Sequence, residues 1–225
     1  MKQALLSWSS GKDSAWALHL LRERAELNVV GLVTNFNTEA DRVAMHAVRR
    51  SLVELQAERV GLPLWAVELP FPCTNAEYEA RSRVMFERAV ADEIEAIAFG
   101  DLFLEDVRAY RVRQLEGTGL EALFPLWGMP TDALGVVMIE AGVRAKITCL
   151  DPLQVSEEYA GAEYDLEFVS SLPAGVDRCG ERGEFHTFVY EAPVFSHAIP
   201  IRRGETVRRD GFVFTDVLLN DGLEV

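Results

Sequence analysis

The chain has 225 residues, 49% of them hydrophobic, enough to bury the core of one large α/β domain with or without a small appendage. No apolar run reaches the ~18 residues a bilayer span needs, and Met1-Lys2-Gln3-Ala4-Leu5-Leu6 runs straight into the first motif, leaving no room for a signal peptide. A soluble cytoplasmic protein with no membrane partner is expected, and the net charge of −14 (22 basic, 36 acidic side chains) disfavours nucleic acid against a small-molecule or protein substrate.

In chain order, Ala4 to Ser9 reads as a strand and Asp13 to Glu23 as a helix burying Ala15, Trp16, Leu18, Leu20 and Leu21. Asn28 to Phe36 is a second strand, Ala44 to Val60 a helix, and Leu64 to Leu69 a third strand. A helix over Asn75 to Glu93 precedes the short buried strand Ala96 to Gly100, which ends at Asp101. A helix carrying Arg108 and Arg111 follows, then Phe124 to Trp127, a helix over Asp132 to Gly142, and the strand Arg144 to Leu150. Continuous apolar strands alternating with helices predict a Rossmann-like, doubly wound parallel sheet, whose ligands lie at the carboxyl ends of its strands. The segment 9–14, Asn35, Asp101 and Trp127 all fall at such ends.

After Asp151-Pro152 the chain becomes richer in turn residues, with strand-like runs at Phe185 to Tyr190, His197 to Ile201 and Phe212 to Leu219. Asp210-Gly211 between two such runs predicts a hairpin. The expected division is therefore 1–150 for the large α/β domain and 151–225 for a small α+β domain packed on it.

Directly between the first strand and the first helix stands Ser9-Ser10-Gly11-Lys12-Asp13-Ser14. A helix N-terminus offers unpaired N–H groups and a positive dipole end, which together bind anions. Gly11 allows close backbone approach, the three serines add hydroxyls, and Lys12 adds a compact cation. Asp13 suits a phosphate cradle if a divalent ion bridges it to pyrophosphate, or if it caps the helix. The Walker and dinucleotide glycine spacings are both missing.

Further along, Glu181, Glu184 and His186 sit within six positions of one another in a Gly-interrupted segment. Carboxylates with an imidazole suit positioning an ammonium, removing its proton or holding a metal, although a hairpin with solvated glutamates and a hydrogen-bonded histidine has the same spacing. Arg108 and Arg111, three apart on a helix, share a face that suits pyrophosphate or a substrate carboxylate, or else pairs with Glu105 and Asp106 at the surface. His46 opens the second helix near the adenine position, as a ligand contact, a cap or a core residue. Cys73, Cys149 and Cys179 form no Cys-x-x-Cys pair, which excludes a zinc ribbon, an iron–sulfur site and a disulfide framework.

Ser9 to Ser14 resembles the Ser-Gly-Gly-x-Asp-Ser loop of the N-type ATP pyrophosphatases, with Ser10 in place of a glycine. Gly100-Asp101-Leu102-Phe103, Pro125-Leu126-Trp127-Gly128, the Met45-His46 pair and above all Gly180-Glu181-Arg182-Gly183-Glu184-Phe185-His186-Thr187 narrow the resemblance to the diphthine–ammonia ligase family. It implies an adenine-nucleotide α-hydrolase-like fold with a small C-terminal domain. The implied activity adenylates a carboxylate with ATP and amidates it with ammonium, on a carboxylate-bearing substrate that includes the protein-borne case. The residues carried over are Ser9 to Ser14, His46, Gly100 and Asp101 for ATP, Asp13 for Mg2+, Arg108 and Arg111 for pyrophosphate or substrate, and Lys12, Asp13, Glu181, Glu184 and His186 for catalysis. A homodimer is left open. A tRNA-modifying pyrophosphatase and a non-catalytic ATP or AMP sensor are the alternatives.

Overall fold

The computed structural model describes residues 1–24, 27–43 and 46–220. In chain order these form β1 (Lys2–Ser7), α1 (Lys12–Glu23), β2 (Leu27–Asn37), β3 (Arg42–Val43), α2 (Arg50–Val60), β4 (Leu64–Leu69), α3 (Asn75–Ala91) and β5 (Ala96–Ala98). Then come α4 (Glu105–Leu115), β6 (Glu121–Leu123), α5 (Thr131–Glu140), β7 (Arg144–Leu150), α6 (Leu166–Ser171), β8 (Phe185–Glu191), β9 (Ile201–Arg209) and β10 (Phe212–Leu219).

Strand β1 is apolar on both faces, with Ala4, Leu5 and Leu6 fully buried, as suits the centre of a sheet covered on each side. It pairs in parallel with β2 on one edge and β5 on the other; β4 extends the sheet beyond β2, and β6 beyond β5. The parallel order β4-β2-β1-β5-β6 therefore reverses direction at β1. The loops after β1 and β5 frame the crevice where such sheets take their ligands. Helix α1 closes one face by packing Trp16, Ala17, Leu18 and Leu21 into the core, each such large apolar side chain contributing about 1.5–3 kcal/mol. This is the expected Rossmann-like nucleotide fold.

Sheet B, ordered β8-β7-β10-β9, is antiparallel throughout. Arg144–Leu150, expected in the parallel sheet, is its β7, so the change of sheet falls before Arg144 rather than after Leu150. Buried strands of either sheet carry the same apolar run, so the pattern alone cannot separate them. Asp210-Gly211 makes the expected two-residue hairpin, both residues at positive φ (52° and 86°) as a type I′ turn requires. The run expected at His197 to Ile201 is instead β9, beginning at Ile201 and continuing through Gly204.

The expected helix over Ala44 to Val60 starts only at Arg50; Ala44 and Met45 lie outside the described residues. Residues 46–49 are diverted because Val43 donates to the Val48 carbonyl at 2.8 Å and Ala47 sits at φ 56°. That local ladder overrides the helical propensity of the segment. Among the described residues, no helix is long and apolar enough to cross a membrane.

Candidate active site

The loop after β1 enters α1 with Gly11 as N-cap and without a side-chain capping bond, which leaves first-turn amides for an anion. Its serines organise the loop itself. Ser14 Oγ donates to the Gly11 carbonyl (2.9 Å), and Ser9 Oγ accepts from the Gly11 amide (3.3 Å). Strand β8 then grips the loop from sheet B: the Lys12 amide donates to Thr187 Oγ1 at 3.1 Å, and the Val189 amide to the Ser10 carbonyl at 3.0 Å. A Cβ on Gly11 would approach Ser9 Oγ and both Thr187 oxygens at 3.3 Å, so the fit favours glycine.

Ser10 does adopt positive φ, 71°, and its buried hydroxyl has no hydrogen-bond partner. The departure from glycine therefore carries both a backbone and a polar cost. Ser10→Gly, which keeps the backbone bonds, is expected to raise stability by about 1 kcal/mol, read as a higher denaturation midpoint; a lower midpoint would show that the left-handed serine is not strained.

Lys12 is buried beneath the loop, 2% exposed. Its Nζ donates to both Asp13 oxygens (3.0 and 2.8 Å) and to the Cys179 carbonyl, with the rings of Tyr164 and Phe185 at 5.4 and 5.5 Å. Asp13, 27% exposed, is the open member of the pair. Gly100 ends the β5 segment against α1, where a Cβ would meet the Asp13 carbonyl carbon and the Ser14 amide at 3.3 Å. It thus serves close packing of strand end on helix start.

Asp101 follows, and burial raises its pKa, with Asp13 nearby adding to the effect. Its Oδ2 has no hydrogen bond, Arg111 Nε standing off at 3.6 Å in a long ion pair. Arg108 lies over Trp127 (4.6 Å) and Phe124 (5.3 Å). The two arginines therefore turn toward the strand ends rather than pairing with Glu105 and Asp106.

The segment 177–186 completes the site from sheet B. Glu181 reaches across to the loop after β5, its Oε1 accepting from the amides of Leu102 (2.8 Å) and Phe103 (3.4 Å). Burial pushes its carboxyl up to about 7 in spite of those bonds, helped by the nearby charges of Asp13 and Asp101. Glu184 does not share this role. It is fully buried, with Oε1 accepting from the Asp177 amide and Oε2 from the Arg182 amide, both at 2.9 Å. Strand β8 begins at Phe185, and both Glu184 oxygens are spent on the turn before it.

His186 instead stacks on His46, ring centroids 4.4 Å apart. His46 stands in the turn before α2, not at the start of the helix as expected. Burial lowers the pKa of both, His186 to about 4, with Lys12 adding to the effect in each case. An unfolded imidazole titrates near ~6.5, so below that pH the unfolded chain takes a proton that the folded His186 refuses. The contribution of His186 is thus intact above pH ~6.5 and is lost as pH falls toward its folded value. Denaturation midpoints at pH 7 and 5 are expected to differ less in His186→Phe than in the parent; an unchanged difference would contradict the assignment.

Two organising residues had no sequence signal. Gln56 on α2 is fully buried, accepts from Trp8 Nε1 (2.8 Å) and donates to the carbonyls of Ser10 (3.1 Å) and Val189 (2.6 Å). Asp177 accepts from the amides of Cys179 and Glu181 and from Thr131 Oγ1, shaping the turn that presents Glu181. Cys179 itself is buried, its thiol pushed up to about 12 by that burial, and is no nucleophile.

Residues 1–121 match the family model of the diphthamide synthase N-terminal domain, and residues 131–217 that of the diphthamide synthase C-terminal domain. A Homo sapiens protein named diphthine–ammonia ligase is 26% identical over 238 residues, spanning 93% of this chain and 86% of that protein. The Danio rerio protein of the same name is 29% identical over 232 residues, spanning 93% and 90%. With both domain models matched in order, the chain belongs to the diphthamide synthase family.

Proposed function

We propose that the protein is an ATP-dependent amide ligase that adenylates a substrate carboxylate, releases pyrophosphate, and amidates the acyl-adenylate with ammonium. The observation that carries this reading is the Glu181 bridge, which places a carboxylate with a pKa of about 7 beside Asp13 of the phosphate loop and Asp101. The relatives' name, diphthine–ammonia ligase, supports the same chemistry.

ATP lies with its phosphates on residues 9–14 and the first turn of α1, where backbone amides meet the negative charge. His46 and His186, neutral at pH 7, form an apolar wall beside it. Lys12 holds Asp13 in place from beneath, its ammonium offsetting that carboxylate's charge next to the phosphates. A divalent ion such as Mg2+ fits here: Asp101 keeps an unpartnered buried oxygen, and its carboxylate senses that of Asp13. Asp13 and Asp101 would be the side chains that hold it. When bound, the ion supplies charge neutralisation on the pyrophosphate. Arg108 and Arg111 lie on the acceptor and pyrophosphate side.

The carboxylate attacks the α-phosphate, forming the acyl–phosphate bond as pyrophosphate leaves. Glu181 holds ammonium and takes its proton, and the freed ammonia displaces AMP from the acyl carbon. Glu184 positions this group by holding the 177–184 turn. The acceptor is a carboxylate on a small molecule or a protein. The test is product analysis by phosphorus NMR with ATP, ammonium and a carboxylate acceptor. AMP and pyrophosphate are expected, whereas ADP and phosphate would contradict the reading.

A further inference from the structure

The turn that carries His46 is held at both ends by one carboxylate from sheet B. Arg42, on β3, donates from Nη1 to Asp216 Oδ1 at 2.9 Å and from Nη2 to Oδ2 at 3.1 Å. Arg49, just before α2, donates to the same two oxygens from Nε at 3.1 Å and from Nη2 to Oδ2 at 2.5 Å. Arg42 Nη1 also donates at 2.6 Å to the carbonyl of Ala47, the residue after His46, which lies at φ 56°. Asp216 thus holds Arg42 and Arg49 on either side of His46, and Arg42 in turn holds Ala47.

The fold aims Asp216 at this task. Between the pairs Thr215↔Thr206 and Val217↔Arg203, β10 has the single residue Asp216 where β9 has Gly204 and Glu205. Such a bulge redirects a side chain locally. Gly204 leaves the room: a Cβ there would come within 3.0 Å of Asp216 Cβ and 3.2 Å of its carbonyl oxygen. The Asp216 side chain is 18% exposed, and the hydrogen bonds and charges of Arg42 and Arg49 overcome its burial to hold its carboxyl down at about 2.

We propose that Asp216 is a positioning residue for the nucleotide site, acting through Arg42 and Arg49 to set His46 against His186. The role in ATP affinity rests on the function proposed above; the placement of His46 does not. The groups facing His46 are the His186 ring on β8, the Thr187 backbone and the Lys12 ammonium on α1. Displacing His46 removes it from all three.

The test uses the full-length protein with Asp216→Asn and, as a milder change that keeps charge but loses the planar fork, Arg49→Lys. Histidine C2 protons are followed by NMR against pH, and the affinity for ATP is measured by calorimetry. In the parent, burial holds the His46 pKa well below that of an ordinary imidazole; in Asp216→Asn it is expected to titrate near ~6.5, as an exposed imidazole does. ATP affinity is expected to fall about tenfold if the turn keeps its place one-tenth of the time. Arg49→Lys is expected to lie between. A His46 titration unchanged in both folded variants overturns the proposal. Absence of ATP binding by the parent would contradict the nucleotide reading instead, and the histidine titration alone would then decide the role of Asp216.

Discussion

Replacing Glu181 by Gln is expected to lower amide formation by about 10²–10³-fold while leaving ATP affinity nearly unchanged. The amide oxygen of glutamine can still accept from Leu102 and Phe103, so the bridge between sheet B and the loop after β5 survives. What disappears is the proton acceptor. A carboxyl with its pKa raised to about 7 is largely protonated at pH 6 and ionised at pH 8, so the parent activity should climb across that interval and then level. In the variant, the rate should lack this inflection and keep rising with the fraction of free ammonia. A variant that retains both the inflection and the rate would remove Glu181 from the reaction. Loss of ATP binding would instead assign it a purely structural bridge.

The largest effect on stability is expected at Gln56. Gln56→Leu keeps much of the volume but strands the buried Trp8 indole N–H and takes one hydrogen bond each from the carbonyls of Ser10, which keeps the Val189 amide, and Val189. An unmet buried donor costs roughly 1–3 kcal/mol and each further lost bond roughly 0.5–1.5, so the change should cost about 3–5 kcal/mol. For a chain of this size that corresponds to a fall in Tm of about 10 °C. Because one amide ties β1, the phosphate loop and β8 together, ATP affinity should fall with it. A Tm change within about 2 °C would mean that water or repacking satisfies these groups, and that the hub does not set the loop.

The features legible in the sequence share one property: their cause lies within a few neighbouring residues. The loop at 9–14 is a tight turn between a strand and a helix start, and such a start offers its free amides to an anion. The Asp210-Gly211 hairpin is fixed by φ preferences of two residues. The central strands declare themselves by being apolar on both faces. Each of these is where it was expected.

The features that escaped are defined across the fold. Gln56 is an ordinary polar residue on an amphipathic helix until Trp8, Ser10 and Val189 surround it. Asp216 reads as one acid among many in a chain of net charge −14, and only the bulge opposite Gly204 gives it a direction. Glu184 shares the short spacing of Glu181 and His186, but the folded turn spends both its oxygens on the Asp177 and Arg182 amides. His46 reads as helical by propensity, but for residues 46–49 the Val43–Val48 pairing and the Asp216 clamp overrule it. The strand 144–150 was assigned to the wrong sheet because partner choice leaves no mark on a buried apolar run.

The most direct measurement follows oxygen. In the proposed route the acceptor carboxylate forms a bond to the α-phosphorus, and ammonia later breaks the acyl–oxygen bond, so one carboxylate oxygen leaves with AMP. With ATP, ammonium and an acceptor carrying 18O in its carboxylate, mass spectrometry should find one 18O in AMP and none in pyrophosphate, and the amide should retain the other. Label in inorganic phosphate, formed beside ADP, would place the attack on the γ-phosphate and contradict adenylation at this loop.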